Sequence, residues 1–185
     1  MEYLRYHKII DHLILEELLN GKEVGLKVSG RSMHPLIRQG DLIRLEKCTA
    51  GALAIGDIIT FKKDGNYFTH RLVWTTKRSN GIRLITKGDN EINTDPPVSP
   101  VSVLGKVASI QRGDRTLRLN TPFWRFMNRL LGVFFLAETI TILLYRFAMG
   151  RFRPIRALAL TKSKPSLLYR QFKNTYLRFA MRVIM

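Results

Sequence analysis

The rhythm of hydrophobic and polar positions changes twice along this chain. Tyr6, Ile10, Ile14 and Leu18 recur at every fourth residue, the spacing of an amphipathic helix that docks one face. Asn20 and Gly21 end it. Arg5, Lys8, Asp11, Glu16 and Glu17 interrupt the segment throughout, so it reads as neither a signal peptide nor a membrane anchor. The texture then shifts to short runs of alternating or β-branched residues separated by glycines and turn formers. These predict strands over 24–28, 42–46, 57–62, 67–76, 82–86, 102–111 and 116–119. Lys63, Asp64, Gly65 and Asn66 predict a hairpin turn between two of them.

From Thr121 onward glycine and proline thin out and Leu, Phe, Arg and Met dominate, a helical composition. The expectation is therefore a mostly β protein in three parts. An N-terminal amphipathic helix occupies 1–21, a β domain 22–120, and a helical, basic extension 121–185. Within the extension the most apolar stretch, 130–145, counts 16 residues and still contains Gly132, Glu138, Thr139 and Thr141. A bilayer span needs about 20. Widening the window to 123–149 gives 27 residues only by admitting Arg125, Asn128, Arg129 and Arg146. Three arrangements remain open: a helix in the membrane interface, a poor transmembrane helix, and a soluble helix packed on the domain.

Composition narrows the class. With 45% hydrophobic residues among 185 the chain can bury a core, which excludes a disordered basic tail as a whole-chain reading. The lone Cys48 excludes an intramolecular disulfide framework and any zinc site built from several thiolates, and it reads as a small, partly buried apolar residue. The formal charge of +17 is uneven. Residues 1–114 hold 17 basic and 13 acidic side chains, whereas 115–185 hold 14 basic residues and the single acid Glu138. A basic segment attracts nucleic acid, anionic lipid or an acidic partner, and charge alone does not choose. Flanking arginines and abundant phenylalanine favour the membrane interface.

The chemistry concentrates in three blocks. Gly30-Arg31-Ser32-Met33-His34-Pro35 leads through Leu36 and Ile37 to Gly40-Asp41. Tyr67 to Val73 places His70 inside an apparent strand, on the same alternating face as Phe68 and Leu72. Thr86-Lys87-Gly88-Asp89-Asn90 follows another strand, with Asp95 close behind. A lone Gly-x-Ser is ordinarily only a loop hydroxyl. Together, in this order and spacing over about residues 24–110, the blocks resemble the type I signal peptidase superfamily, which includes the LexA-like self-cleaving proteases. Gly30 to Pro35 resembles the nucleophile box, and Gly56-Asp57 before Ile58-Ile59-Thr60-Phe61 resembles the next strand. His70-Arg71 falls where many bacterial members carry Lys-Arg, and Lys87 to Asn90 with Asp95 resembles the late acidic box.

That resemblance implies a signal-peptidase-like β catalytic domain and a serine endopeptidase. Histidine in place of the bacterial lysine resembles the endoplasmic-reticulum, archaeal and sporulation-associated branch, where Ser, His and Asp cooperate. A lysine base must be desolvated to lose its proton near neutral pH, whereas an unperturbed imidazole titrates near 6.5. The implied roles are Ser32 as nucleophile, His70 as general base and then acid, and Asp95 as the carboxylate orienting the imidazole. Asp89 is the second candidate for that orienting role or for tying down the turn. The oxyanion and substrate region comprises Gly30, Met33 and Pro35, with the Ser32 amide as donor. Gly30 stands where some relatives carry a serine hydroxyl, and Ser29 lies one step earlier. His34 is read as a rim residue, and His7 and His12 have no matched role. No grouping suggests a metal or cofactor, and Gly105-Lys106 lacks the rest of a nucleotide loop.

Signal peptidases usually enter the membrane through an N-terminal helix, which is not evident here. The expectation is peripheral attachment of the basic C-terminal segment to an anionic membrane surface, on the cytoplasmic face, with a dedicated signal, leader or precursor peptide as substrate. A protein partner remains open. The alternatives are a LexA-like regulatory or nucleic-acid-binding protein and a non-hydrolytic membrane adaptor. No specific nucleic acid is expected, because the first twenty residues are too short for a helix-turn-helix unit and the basic segment follows the β domain.

Overall fold

A computed structural model describes residues 12–78 and 81–151. Residues 12–19 are helical (α1), and Ile14 and Leu18 are buried as the four-residue repeat requires, whereas Tyr6, Ile10 and His7 lie outside the described residues. Gly21 closes α1 with a positive φ of 76°. Its N–H donates to Leu18 O and that of Lys22 to Glu17 O, so the last carbonyls of the helix are satisfied by a glycine-dependent cap.

Seven antiparallel strands follow: β1 Val24–Lys27, β2 Leu42–Glu46, β3 Ile58–Lys63, β4 Asn66–Arg78, β5 Gly81–Lys87, β6 Val103–Arg112 and β7 Arg115–Arg118. All seven sequence-predicted strands are present, with ends moved by at most two residues. They form one sheet in the order β1-β2-β6-β3-β4-β5, with β7 also paired to β6. The β3–β4 turn is Asp64-Gly65, at φ 49° and 77° between the paired Lys63 and Asn66, the left-handed pair that a two-residue hairpin demands. β4 continues long enough to pair with both β3 and β5, so His70 lies in the interior of the sheet opposite Ile59.

Helix α2, Pro122–Arg151, packs its first half onto this sheet. Trp124 joins the core cluster of Ile43, Leu45, Val107 and Leu119, while Leu131 and Phe135 bury Val73. Gly132 lies against the backbone of Gly56, where a Cβ would come within 2.5 Å of the Gly56 nitrogen. Gly56 in turn has φ 97° and backs onto the Asn128 carbonyl, so neither position has room for a side chain. Pro122–Phe147 is by length and composition sufficient to cross a membrane. Of the polar residues within the sequence windows, Asn128 and Glu138 face the sheet and not the outside.

Candidate active site

Ser32 lies in the turn after β1, His70 on β4 and Asp95 in the loop after β5. The fold brings these distant positions together. His70 Nε2 is 2.9 Å from Ser32 Oγ, and His70 Nδ1 is 2.6 Å from Asp95 Oδ2. An ionised carboxylate only accepts, so the Asp95 contact assigns the ring proton to Nδ1 and leaves the Nε2 lone pair directed at the serine hydroxyl. Asp95 is itself held. Its N–H donates to Thr86 O and its Oδ2 accepts the Thr86 hydroxyl at 2.6 Å. Phe61 and Phe68 flank the imidazole, each with a ring centroid 6.1 Å away, which limits its rotation and its solvent.

Asp89 plays a different part from Asp95. It is fully buried and takes both Arg71 Nε and Arg71 Nη2 in a bidentate pair at 2.8 and 2.7 Å. Its N–H points at the Met33 sulfur, and the neighbouring Asn90 N–H donates to Ser32 O at 2.7 Å. Gly88 permits this approach, since a Cβ there would meet Ser32 O at 2.9 Å. The block around Asp89 thus clamps the serine turn, and Arg71 anchors the block. Successive residues of a strand face opposite sides. His70 accordingly faces Ser32, while Arg71 points to α2, where Nη1 donates to Asn128 Oδ1 and Gly56 O.

Beside the triad runs an open groove of about 690 Å³. Leu26, Val28, Met33, Ile43, Tyr67 and Phe68 give it an apolar lining, and Ser29, Gly30 and Ser32 form part of its wall. Gly30 has open space where a side chain would go. Pro35 follows His34 through a cis peptide bond within the same turn, and Leu36 and Ile37 bury into the core behind it. The groove closes at one rim with the exposed Glu91. Ligand-type atoms of His70, Glu91 and Asp95 lie within 4.8 Å of one another. Both ring nitrogens are already directed at Asp95 and Ser32, so a metal there would have to displace those hydrogen bonds.

Among the described residues, Asp41 and Cys48 away from the triad have shifted proton affinities. Asp41 closes the serine-bearing turn onto β2 and is 3% exposed. Burial raises its carboxyl, but hydrogen bonds from Arg112 and the Arg38 amide, with the charges of both arginines, outweigh that and hold it below its ordinary 3.8. Burial pushes the Cys48 thiol from its ordinary 9.0 up to about 11, against the opposing attraction of Lys106. Cys48 is thus protonated and poorly nucleophilic at neutral pH.

Sequence reasoning did not single out Thr86, Arg71, Asn128 or Glu138 as supports of the site. For the last two the available signal is a polar residue inside an apolar run, which in sequence marks only an interruption of a membrane span.

Comparison with known proteins agrees with this architecture. Signal peptidase I W of Bacillus subtilis (strain 168) is 39% identical over 83 residues, which are 43% of this chain and 44% of that protein. The chain therefore spans less than half the length of that curated relative. Residues 3–108 match the Peptidase S24-like family, over a region that holds Ser32, His70, Asp89 and Asp95. That match covers more than half of the 185 residues, and the chain belongs to the Peptidase S24-like family.

Proposed function

We propose that this protein is a serine endopeptidase of the signal-peptidase type that cleaves a signal, leader or precursor peptide at a membrane surface. The observation that carries the reading is the continuous relay from Asp95 through His70 to Ser32, with contacts of 2.6 and 2.9 Å. Ser32 Oγ attacks the scissile carbonyl while His70 Nε2 takes its proton, giving a tetrahedral intermediate. Its collapse expels the amine, protonated by His70, and leaves an acyl-enzyme on Ser32 that water hydrolyses with the same base. Asp95 stabilises the imidazolium formed in each half-reaction. The Ser32 N–H, which donates to no other backbone group among the described residues, is the oxyanion donor. Gly30, Met33 and Pro35 shape the turn that presents both.

The apolar groove suits an extended peptide with uncharged side chains at alternate positions, since period two brings every second residue to the same wall. The test compares new protein N-termini in cells making the wild-type protein or Ser32→Ala. Termini present only with the wild type identify the substrate and its cleavage site. Identical sets, together with no cleavage of any candidate precursor by the purified protein, would overturn the enzymatic reading.

A further inference from the structure

Helix α2 has two apolar faces that point in opposite directions. One row, Trp124, Asn128, Leu131, Phe135 and Glu138, is turned to the sheet, where Trp124, Asn128, Leu131 and Phe135 are buried and Glu138 pairs with buried Lys87. The other row advances by alternating steps of three and four residues through Phe123, Phe126, Leu130, Val133, Ile140 and Phe147, and all six are exposed. Ala137 and Leu144 fill the two places between, also exposed, so no polar residue breaks this second row. At about 100° per residue the rows lie roughly 180° apart. A surface helix normally turns a polar face outward. Two opposed apolar faces also explain how the helix reaches the average hydropathy of a span.

We infer that α2 lies in the plane of an anionic bilayer surface, held between the catalytic sheet on one side and lipid on the other, and does not cross the membrane. Docking and crossing exclude each other. The contacts with the sheet run from Trp124 to Glu138, and Arg146 still reaches Asn93 Oδ1 at 3.0 Å near the far end. From Trp124 to Arg146 is about 33 Å along the axis, the thickness of a hydrocarbon core. A perpendicular α2 would therefore carry the sheet, with Arg71, Lys87 and Asp89, into hydrocarbon. An in-plane helix instead immerses only Phe126, Val133 and their row, about 5–10 Å deep.

Charge selects lipid over a second copy of the chain. Arg125 and Arg129 are exposed beside the outer row, and the sequence beyond it adds Arg151, Arg153 and Arg156. Pairing two copies through this row would bring like charges together, whereas anionic headgroups complement them. The inference rests on the proposed membrane location and not on the peptidase chemistry, so it is tested equally well in the Ser32→Ala protein.

The experiment uses the full chain carrying Cys48→Ala and one labelled cysteine at Phe126, Val133, Ile140 or Phe147. It is bound to phosphatidylcholine vesicles with roughly 30% phosphatidylglycerol. Quenching by lipids spin-labelled at two depths should place all four labels at a similar shallow depth. Labels at 133 and 140 near the bilayer centre, with 126 and 147 at opposite interfaces, would overturn the inference in favour of a span. Phe126→Ser/Ile140→Ser should reduce vesicle binding at least tenfold, with part of the wild-type binding surviving about 0.5 M salt. Unchanged binding of that variant, or a lipid-free dimer that the variant dissolves, would overturn it as well. Shallow depths in a protein whose wild type cleaves no candidate precursor would count against the enzymatic proposal alone.

Discussion

Glu138 of α2 meets Lys87 of β5 in a buried ion pair, with Lys87 Nζ 2.5 Å from Glu138 Oε2 and also 5.1 Å from the centre of the Phe135 ring. Lys87 follows Thr86, the residue that holds Asp95, and pairs across the sheet with Arg71. Two buried cations thus lie behind the candidate triad, neutralised by Asp89 from the late acidic block and by Glu138 from the helix. Buried charges are tolerated only when paired, so α2 completes the domain electrostatically as well as by packing.

Removing one member of that pair strands the other. Glu138→Ala should lower unfolding free energy by about 3–5 kcal/mol, whereas Lys87→Met/Glu138→Leu should recover most of the loss. Urea titration of the single and double variants checks both values. A near-additive double variant would show that the pair does not act as a unit.

The two aspartates should separate by kind of defect. Ser32→Ala and His70→Ala are each expected to reduce kcat by about 10⁴-fold or more, with no further loss in the double variant, because they act as one unit. Asp95→Asn should reduce kcat by about 10³–10⁴-fold through the wrong imidazole tautomer. Asp89→Asn leaves buried Arg71 without its counter-charge, so its main effect should be on unfolding free energy. Steady-state kinetics on the identified precursor, paired with chemical denaturation, distinguishes these outcomes.

Acid should act through Asp41. Its folded-state carboxyl is held below the ordinary value, so the unfolded chain binds its proton first as pH falls. The stabilisation is complete above about pH 4–5 and is lost as pH drops through the folded value. Asp41→Asn should therefore cost about 1–3 kcal/mol at neutral pH, and the gap from wild type should narrow below pH 4. Denaturation curves across that range show whether it does.

Thiol chemistry reports on burial at Cys48. With its thiol at about 11 instead of 9.0, the thiolate fraction at pH 8 falls roughly 100-fold. Alkylation of the native protein should be slower than in denaturant by at least that factor.

Close backbone approach makes Gly56 a sharp probe of helix docking. Its positive φ and the Asn128 carbonyl leave no space for a methyl group, so Gly56→Ala should destabilise by more than about 2 kcal/mol. Gly30→Ala, with open space around it, should leave stability within about 0.5 kcal/mol. Thermal melts of the two variants provide the comparison.

Much of the β architecture was legible because its signals are local. Alternation marks a strand, Asp64-Gly65 marks a hairpin, and Asn20-Gly21 marks a helix end, each within a few residues. The residues brought together at the site were also legible, since Ser32, His70 and Asp95 fall in recognisable blocks. Asp95 stands ahead of Asp89 for contact with His70 only through the resemblance, because both follow the same strand and side-chain direction is what separates them.

By itself, then, the sequence determined where the strands lie along the chain, the serine turn and the excess of basic residues toward the C-terminus. The tertiary structure alone decided where Arg71 and Lys87 find their counter-charges, and which face of the apolar C-terminal helix the sheet covers. The reason is physical: periodicity reports that a face is apolar but not what covers it. Asn128 and Glu138 looked like flaws in a membrane span until the sheet supplied Arg71 and Lys87 as their partners.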